Sequence, residues 1–571
     1  MIETTFLKRC LALRSFMELK VKPVSSLEKC FLDENIDKKR EISALSALCG
    51  ETLSFQIAYY NKRSDNPNDT LCYLNVSSPI SSLVKISKIE SVPVRFTTYA
   101  SCTDTNYLRK TPGLYPDLMI PTDADYELHI PELHLGSLWV DIEIPKGYKG
   151  GEYTISFAFT SEKNGKGRLF AETKFDLKII PADLPEQDLA YAQWMHCDCL
   201  ADYYRVDVFS ERHWEIIENY VRCAVKNGIN AVFTPIFTPP LDTPTGKERP
   251  TVQLIEVFEK SGKWGFNFAR LDRWIDMCER CGVKYFEISH LFTQQGATHA
   301  PKILGWRDGK YQKLFGWDTV ASSDEYAGFL RAFLRRFIDH MKRKGLDKRC
   351  IFHISDEPRD RHFDDYATAK AIVSDILDGY HVADALSSVN FYNSGLVEHP
   401  IPSIDFVEDF INVKVPNLWT YYCCAQHTDV SNRFIAMPLS RTRIIGTQLY
   451  KYNIAGFLHW GYNFWYTMTS QQLCDPYITT DVGRVPAGDA YSVYPAPNGT
   501  PFESIRIRSF YEALCDLRAL KLCEKLWGVE AVLEAIDSIF SAPFDFKNYP
   551  SDGIYILALR HKINSMIEEK I

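Results

Sequence analysis

Up to about residue 185 the chain alternates apolar and polar positions. Val140, Ile142 and Ile144 alternate with Asp141 and Glu143, and Phe175, Leu177 and Ile179 alternate with Lys174, Asp176 and Lys178. A period of two means strands with one buried and one wet face, the pattern of antiparallel sheets. Gly147, Gly150 and Gly151 punctuate a hairpin, and Asn164-Gly165 reads as a two-residue turn. Without a convincing long helix, this stretch predicts an antiparallel β-sandwich.

Pro181-Ala182-Asp183-Leu184-Pro185 reads as a stiff connector. Beyond it the pattern changes to strand and helix in alternation. Strands are expected over 191–196, 230–234, 284–289, 350–355, 386–392, 404–407, 418–422 and 456–460. Helices are expected over 211–227, 269–280, 323–344 and 364–377. Three times a helix ends at a glycine (Gly228, Gly282, Gly345) and a short apolar strand follows. That is the βα signature, and eight such strands close naturally into a (β/α)8 barrel of the TIM type. A helical tail closes the chain. The expected division is a sandwich over 1–185, a barrel over 186–528 and packed helices over 529–571.

With 571 residues the chain is too long for one typical domain, and its 46 % hydrophobic content supports sizeable cores. A net charge of −8 and the lack of any basic run argue against a nucleic-acid partner. The first 21 residues lack an apolar core and cleavage site of the secretory kind, and no apolar run is long enough to span a bilayer. These features predict a cytoplasmic protein without a membrane partner. The sixteen cysteines are scattered. Cys278-x-x-Cys281, Cys197-x-Cys199 and Cys423-Cys424 lack zinc-ribbon spacing and read as free thiols.

Candidate chemistry converges on the expected strand ends. Strand four runs into His353-Ile354-Ser355-Asp356-Glu357-Pro358, two adjacent carboxylates and a proline. Pro358 disfavours the α region at Glu357, which is expected to be extended at the strand's end. The C-terminal rim of a barrel is where catalytic groups sit. Around this pair the expected topology gathers His290 and Gln294 after strand three, and Tyr392 and Asn393 after strand five. It adds Trp419 and Tyr421 from strand seven, and Trp460, Asn463 and Trp465 from strand eight. Aromatics stack on sugar faces, and amides and imidazoles bond hydroxyls, so the set suits a carbohydrate. A rival is a metal site on His196, His290, His353 and His459. It is disfavoured because strand one ends in His196-Cys197-Asp198, without the His-x-His of barrel metallohydrolases. Gly246-Lys247-Glu248 does not complete a phosphate-binding loop.

The ordered set HISDEP (353–358), HLFTQQGA (290–297) and GFLHWGYNFW (456–465) resembles glycoside hydrolase family 123 and its uncharacterised relatives. LYPDLMIP (114–121), SLWVDIEIP (137–145) and FNFARLDRWID (266–276) extend the resemblance over most of the chain. It implies a cofactor-free, metal-free, exo-acting, retaining β-N-acetylgalactosaminidase that uses the substrate's 2-acetamido group as nucleophile. Glu357 maps onto the general acid/base, and Asp356 onto the group that orients and stabilises the acetamide. Tyr392 is the first candidate for the acetamide carbonyl. Relatives often carry Trp where this chain has Gln295. The alternatives are a barrel that binds sugar without cleaving it, and a glycosidase for sugars without an acetamido group.

Overall fold

The computed structural model describes residues 17–64, 71–122, 126–294, 296–467, 469–470, 472–540 and 543–571. Gln295 lies outside them.

Two five-stranded sheets form the N-terminal region. One is ordered Met17–Ser25, Thr52–Ser64, Leu135–Glu143, Val84–Val94, Gly113–Pro121, and all its pairs are antiparallel. The other is ordered Ala44–Cys49, Leu169–Asp183, Gly151–Thr160, Leu71–Ser77, Glu127–His129. Its first pair runs parallel, so the region is not purely antiparallel as expected. The inner faces share one apolar core, in which Phe55 stacks on Phe175 at 3.9 Å and meets the edge of Phe157 at 5.9 Å. Pro181 and Asp183 belong to the end of a long strand; the link to the next region is only the stretch 184–189.

The alternation over 137–144 resolves differently from the expected wet face. Val140 and Ile142 enter the sheet core, but Trp139 and Asp141 on the other face are buried too. That face is covered by the barrel region. Trp139, Ile89 and Met119 pack on Leu439 and Ile505. The Arg508 guanidinium reaches Asp141 at 3.1 Å, and Arg506 forms a bidentate pair with Asp117 at 2.7 and 2.9 Å, with both side chains shut off from solvent. In the turn that links the two sheets, Glu51 pairs with Arg560 at 2.6 Å.

Eight parallel strands form the barrel: β1 (Ala190–Gln193), β2 (Ala231–Thr234), β3 (Tyr285–Ile288), β4 (Cys350–Phe352), β5 (His381–Ala385), β6 (His399–Ile401), β7 (Trp419–Tyr421) and β8 (Gly456–His459). Their order in space is β6-β5-β4-β3-β2-β1-β8-β7. The Ser403–Tyr421 bridge and the Ile404 N–H donating to the Tyr421 carbonyl at 2.8 Å bring β6 and β7 together and nearly close the ring. Three of the expected helices follow the sequence reading: Glu211–Lys226, Ala269–Cys281 and Asp324–Arg343; a short helix, Cys197–Tyr204, precedes them. Ser210 and Ser323 cap two of them by accepting from His213 N and Tyr326 N. Gly282 ends the middle one at φ 91°, where a side chain would be strained.

Two strands lie elsewhere than expected. Residues 386–392 are a loop running into the short helix Asn390–Asn393, and strand five is His381–Ala385. Residues 404–407 run into the helix Val407–Asn412, and strand six is His399–Ile401. The expected helix over 364–377 is split into Phe363–Ala371 and Ser374–Leu377. A small four-stranded sheet (Glu256–Lys260, Lys263–Asn267, Ile303–Arg307, Lys310–Phe315) grows from the loops after β2 and β3. The tail helices are Ile505–Trp527, Val529–Ile539 and Gly553–Glu568. No described helix is long and apolar enough to cross a membrane.

Candidate active site

The peptide 353–358 leaves β4 along the barrel rim and is tied at three points. Ile354 N–H donates to the Asp384 carboxylate at 3.0 Å, Ser355 Oγ donates to the Thr293 carbonyl at 2.8 Å, and Glu357 N–H donates to the Ala385 carbonyl at 3.0 Å. Glu357 is not extended. Its φ is 45°, in the left-handed region. Regular extension would send neighbouring side chains to opposite faces. The left-handed turn instead brings Asp356 and Glu357 into one cavity of about 150 Å³. Non-glycine residues in this region are uncommon, and strain held by surrounding bonds is typical of working sites.

The cavity wall is assembled from six other strand ends: Trp194 after β1, Asp242 after β2, Gln294 after β3, Ala385 on β5, Tyr421 on β7, and Trp460 after β8. Tyr421 Oη donates to Glu357 Oε1 at 2.7 Å. Trp460 is fixed by its indole N–H, which donates to Asp489 Oδ2 at 2.9 Å. Gln294 Oε1 accepts from the Asp242 N–H at 2.8 Å. Cys423 and Cys424 line the same wall.

Charge in the cavity is unevenly compensated. Burial, then the Glu357 and Asp242 carboxylates, hold the Asp356 carboxyl well above the usual range, against the pull of His353. Burial pushes Asp242 up to about 6, with Glu357 adding and Arg249 opposing. Arg249 is already committed: it forms two 2.8 Å bonds with the Asp198 carboxylate.

Beneath the floor lies a buried polar layer. His353 Nε2 is 2.9 Å from Glu287 Oε1, and its Nδ1 is 3.4 Å from Asp384 Oδ1. Burial lowers the imidazole's pKa, but hydrogen bonds and charge from Asp384 and Glu287 more than reverse this and raise it to about 10. His353 is therefore an imidazolium held between two carboxylates. His290 stacks on it at 4.7 Å, with neither nitrogen hydrogen-bonded. Burial and the His353 charge hold His290 well below its ordinary value, so it is neutral.

Among the described residues, His290, His353 and Asp384 could hold a metal, with ligand atoms within 4.8 Å of one another. An ion would have to displace a proton of His353, whose Nε2 and Nδ1 face different carboxylates. The other two histidines of the rival metal set do not join them. His196 Nδ1 accepts from Arg249 at 3.1 Å, and His459 Nδ1 accepts from Arg433 at 2.8 Å.

The remaining sequence candidates lie outside the cavity wall. His290 is under the floor. Asn463 clasps the His196 backbone with two bonds of 2.9 and 3.1 Å, which locks the loop after β8 to that after β1. Trp465 is fully buried between Tyr203 and Tyr220. Trp419 begins β7 beside Gly456 and His381, at the opposite end of the barrel. Tyr392 and Asn393 sit on the helix Asn390–Asn393. Asp242 was not singled out from sequence, and Cys423 and Cys424 were read there only as free thiols. Asp242 was findable, because it is an acid in the loop after a correctly placed strand.

No curated protein matches the sequence. A solved family 123 glycoside hydrolase from Clostridium perfringens, studied for glycolipid glycan hydrolysis, shares the fold. Its TM-score is 0.71 at 17 % identity, over 96 % of this chain and 98 % of that one. A β-glucosidase from Listeria innocua aligns over 29 % of this chain and 16 % of its own, with a TM-score of 0.12 and 10 % identity, too slight to carry an argument. The family model "Glycoside hydrolase 123, catalytic domain" matches residues 194–523, which takes in β2 to β8 of the barrel and every residue of the cavity named above. A match over more than half of the sequence settles the matter: the chain belongs to glycoside hydrolase family 123 and is a glycosidase acting on a glycan.

Proposed function

We propose that the protein removes terminal β-linked N-acetylhexosamine, galacto-configured by family resemblance, with retention and with the substrate's own acetamide as nucleophile. The observation that carries this reading is the pair itself. One tied turn delivers Asp356 and Glu357 into the same cavity. On the sugar, the leaving oxygen at C1 and the acetamide at C2 are likewise adjacent. Glu357 suits the first as general acid, and Asp356 suits the second by accepting from the acetamide N–H and balancing the charge that forms on ring closure. Substrate-assisted hydrolysis needs no enzymic nucleophile.

Burial and the neighbouring carboxylates favour the protonated form of Asp356 in the free cavity, and an acetamide N–H arriving there favours its anion. Tyr421 takes the place expected for Tyr392, turning its one O–H from Glu357 to the acetamide carbonyl when the sugar binds, because its hydroxyl lines the cavity and Tyr392 does not. The small cavity, below the usual range of about 300–1,000 Å³ for ligand pockets, suits a single terminal sugar.

The test is a panel of 4-nitrophenyl β-glycosides with and without 2-acetamido groups. Cleavage of the N-acetylgalactosaminide and inhibition by its thiazoline are expected. Equal rates on galactoside and N-acetylgalactosaminide would move the assignment to a glycosidase without acetamide participation. Binding without turnover would favour a non-catalytic barrel.

A further inference from the structure

The catalytic pair accounts for two of the three carboxylates in the cavity and leaves Asp242 without a task. We propose that Asp242 is the specificity-determining residue for the sugar being released, accepting hydrogen bonds from hydroxyls on the ring edge away from C1 and C2. The inference rests on a sugar occupying this cavity.

Its placement is built. Asp242 has φ 49°. Its N–H donates to Gln294 Oε1 at 2.8 Å, and its carbonyl accepts from Ser470 Oγ at 2.8 Å. The neighbouring Leu241 carbonyl accepts from Arg249 Nη1 at 3.1 Å, and Leu241 and Thr243 on either side are buried. Three loops thus hold one residue in a sparsely populated conformation, as binding groups that must not move are held. The backbone is fully engaged, yet among the described residues no side chain donates to the carboxylate itself.

That carboxylate stands where its charge is unwelcome. It shares the cavity with Asp356 and Glu357, and the nearest cation, Arg249, is neutralised by Asp198. A fold gains nothing from a third acid there, and an asparagine would fit the same turn. A ligand rich in O–H donors supplies what the protein withholds, since O–H to carboxylate bonds are among the strongest available. Asp242 also comes from the β2 loop, two strands away from the β4 turn that carries the pair. With C1 and C2 at Asp356 and Glu357, and Trp460 on the β8 side, the β2 loop meets the part of the ring that bears O4 and O6. The axial or equatorial setting of O4 separates galacto from gluco sugars, so a fixed acceptor there can choose between them.

The experiment is a cycle between enzyme and substrate. Wild type, Asp242→Asn and Asp242→Ala are assayed for kcat and KM on the 4-nitrophenyl glycoside and its 3-, 4- and 6-deoxy analogues. Loss of charge-assisted bonds predicts a fall of about 10²-fold or more in kcat/KM for Asp242→Ala on the parent, and a smaller one for Asp242→Asn. On the analogue lacking the recognised hydroxyl, wild type should fall similarly and the substitutions should cost nothing more. A loss equal on all analogues, or no loss on the parent, overturns the inference. So does rescue of Asp242→Ala by azide with an inverted glycosyl azide product, which would make Asp242 a nucleophile.

Should Asp242→Ala fail to fold, the near-isosteric Asp242→Asn carries the same cycle. Should wild type cleave no aryl glycoside, the proposed activity fails separately, and saturation-transfer NMR with N-acetylgalactosamine, N-acetylglucosamine, galactose and glucose decides. Binding that weakens in Asp242→Asn upholds the inference. Binding that is absent, or unchanged by the substitution, overturns it.

Discussion

Replacing Asp242 by Asn should stabilise the protein at neutral pH and leave its stability unchanged in acid. Enclosure in the cavity raises the Asp242 carboxyl from 3.8 to about 6. As pH rises from about 4, the unfolded chain gives up this proton first while the folded chain retains it. The folded state therefore binds more protons, and stability falls with pH until the group is ionised in both states, above about 6. A shift of about 2 units corresponds to about 3 kcal/mol at full effect. The residue is partly open to water, which screens the charge and brings the figure to about 1–2 kcal/mol. Asparagine carries no such penalty, and relieving Asp356 of a like charge acts in the same direction. For several hundred residues unfolding together this is about 1–3 °C in Tm. Scanning calorimetry of both proteins from pH 4 to 8 is the assay. The curves should coincide near pH 4 and separate by pH 7, with the variant above. A gap that does not vary with pH, or a wild type that is the more stable at pH 7.5, would refute the reasoning. The variant's expected loss of activity makes the pair of measurements a direct trade of stability for function.

Glu357→Gln keeps the Tyr421 hydrogen bond and the side chain's size but removes the transferable proton; it should cost about 10²–10⁴-fold on a poor leaving group and much less on 4-nitrophenyl, and equal losses on both would count against the acid role. Asp356→Asn should lose activity even with good leaving groups and bind the thiazoline more weakly, measured as Ki. Arg506→Met strands the Asp117 carboxylate in a dry interface and should cost about 3–5 kcal/mol in urea unfolding, much of it recovered in the double variant with Asp117→Asn. Activity should survive exhaustive chelation; loss with recovery on added zinc would point to His290, His353 and Asp384.

The helix–glycine–strand repeats and the HISDEP turn were legible because each is a local signal: a capped amphipathic helix, a positive-φ stop, a proline that bars helix. Strands five and six were not. His381 and Asp384 interrupt the apolar run that marks a buried strand, and both are there for reasons that lie far away in sequence. Asp384 is taken up by Ile354, His353 and Tyr366, and His381 stacks on His399. Trp419 and Tyr421 show a second limit. The period of two sends both to the same face, but β7 is three residues long. One therefore plugs the bottom of the barrel and the other reaches the chemistry at the top. Asp242 lies in a Pro-rich loop, where its place after β2 marks it although an acid there also reads as an ordinary turn residue.

The arginines of the first barrel-flanking tail helix reach beyond the barrel. Arg506 and Arg508 find their carboxylates only on the N-terminal sheet, and Arg560 on the last helix shares its charge between Glu51 of the N-terminal region and Asp516 of the tail. Cut away, the barrel would bare Leu439 and Ile505 to water, and Arg506 and Arg508 would lose carboxylates they now hold in a dry interface. A sheet region attached in this way is no detachable accessory to be shuffled between enzymes. Gene fusions and truncations that part it from the barrel should yield insoluble halves, and engineering of this scaffold has to carry both together.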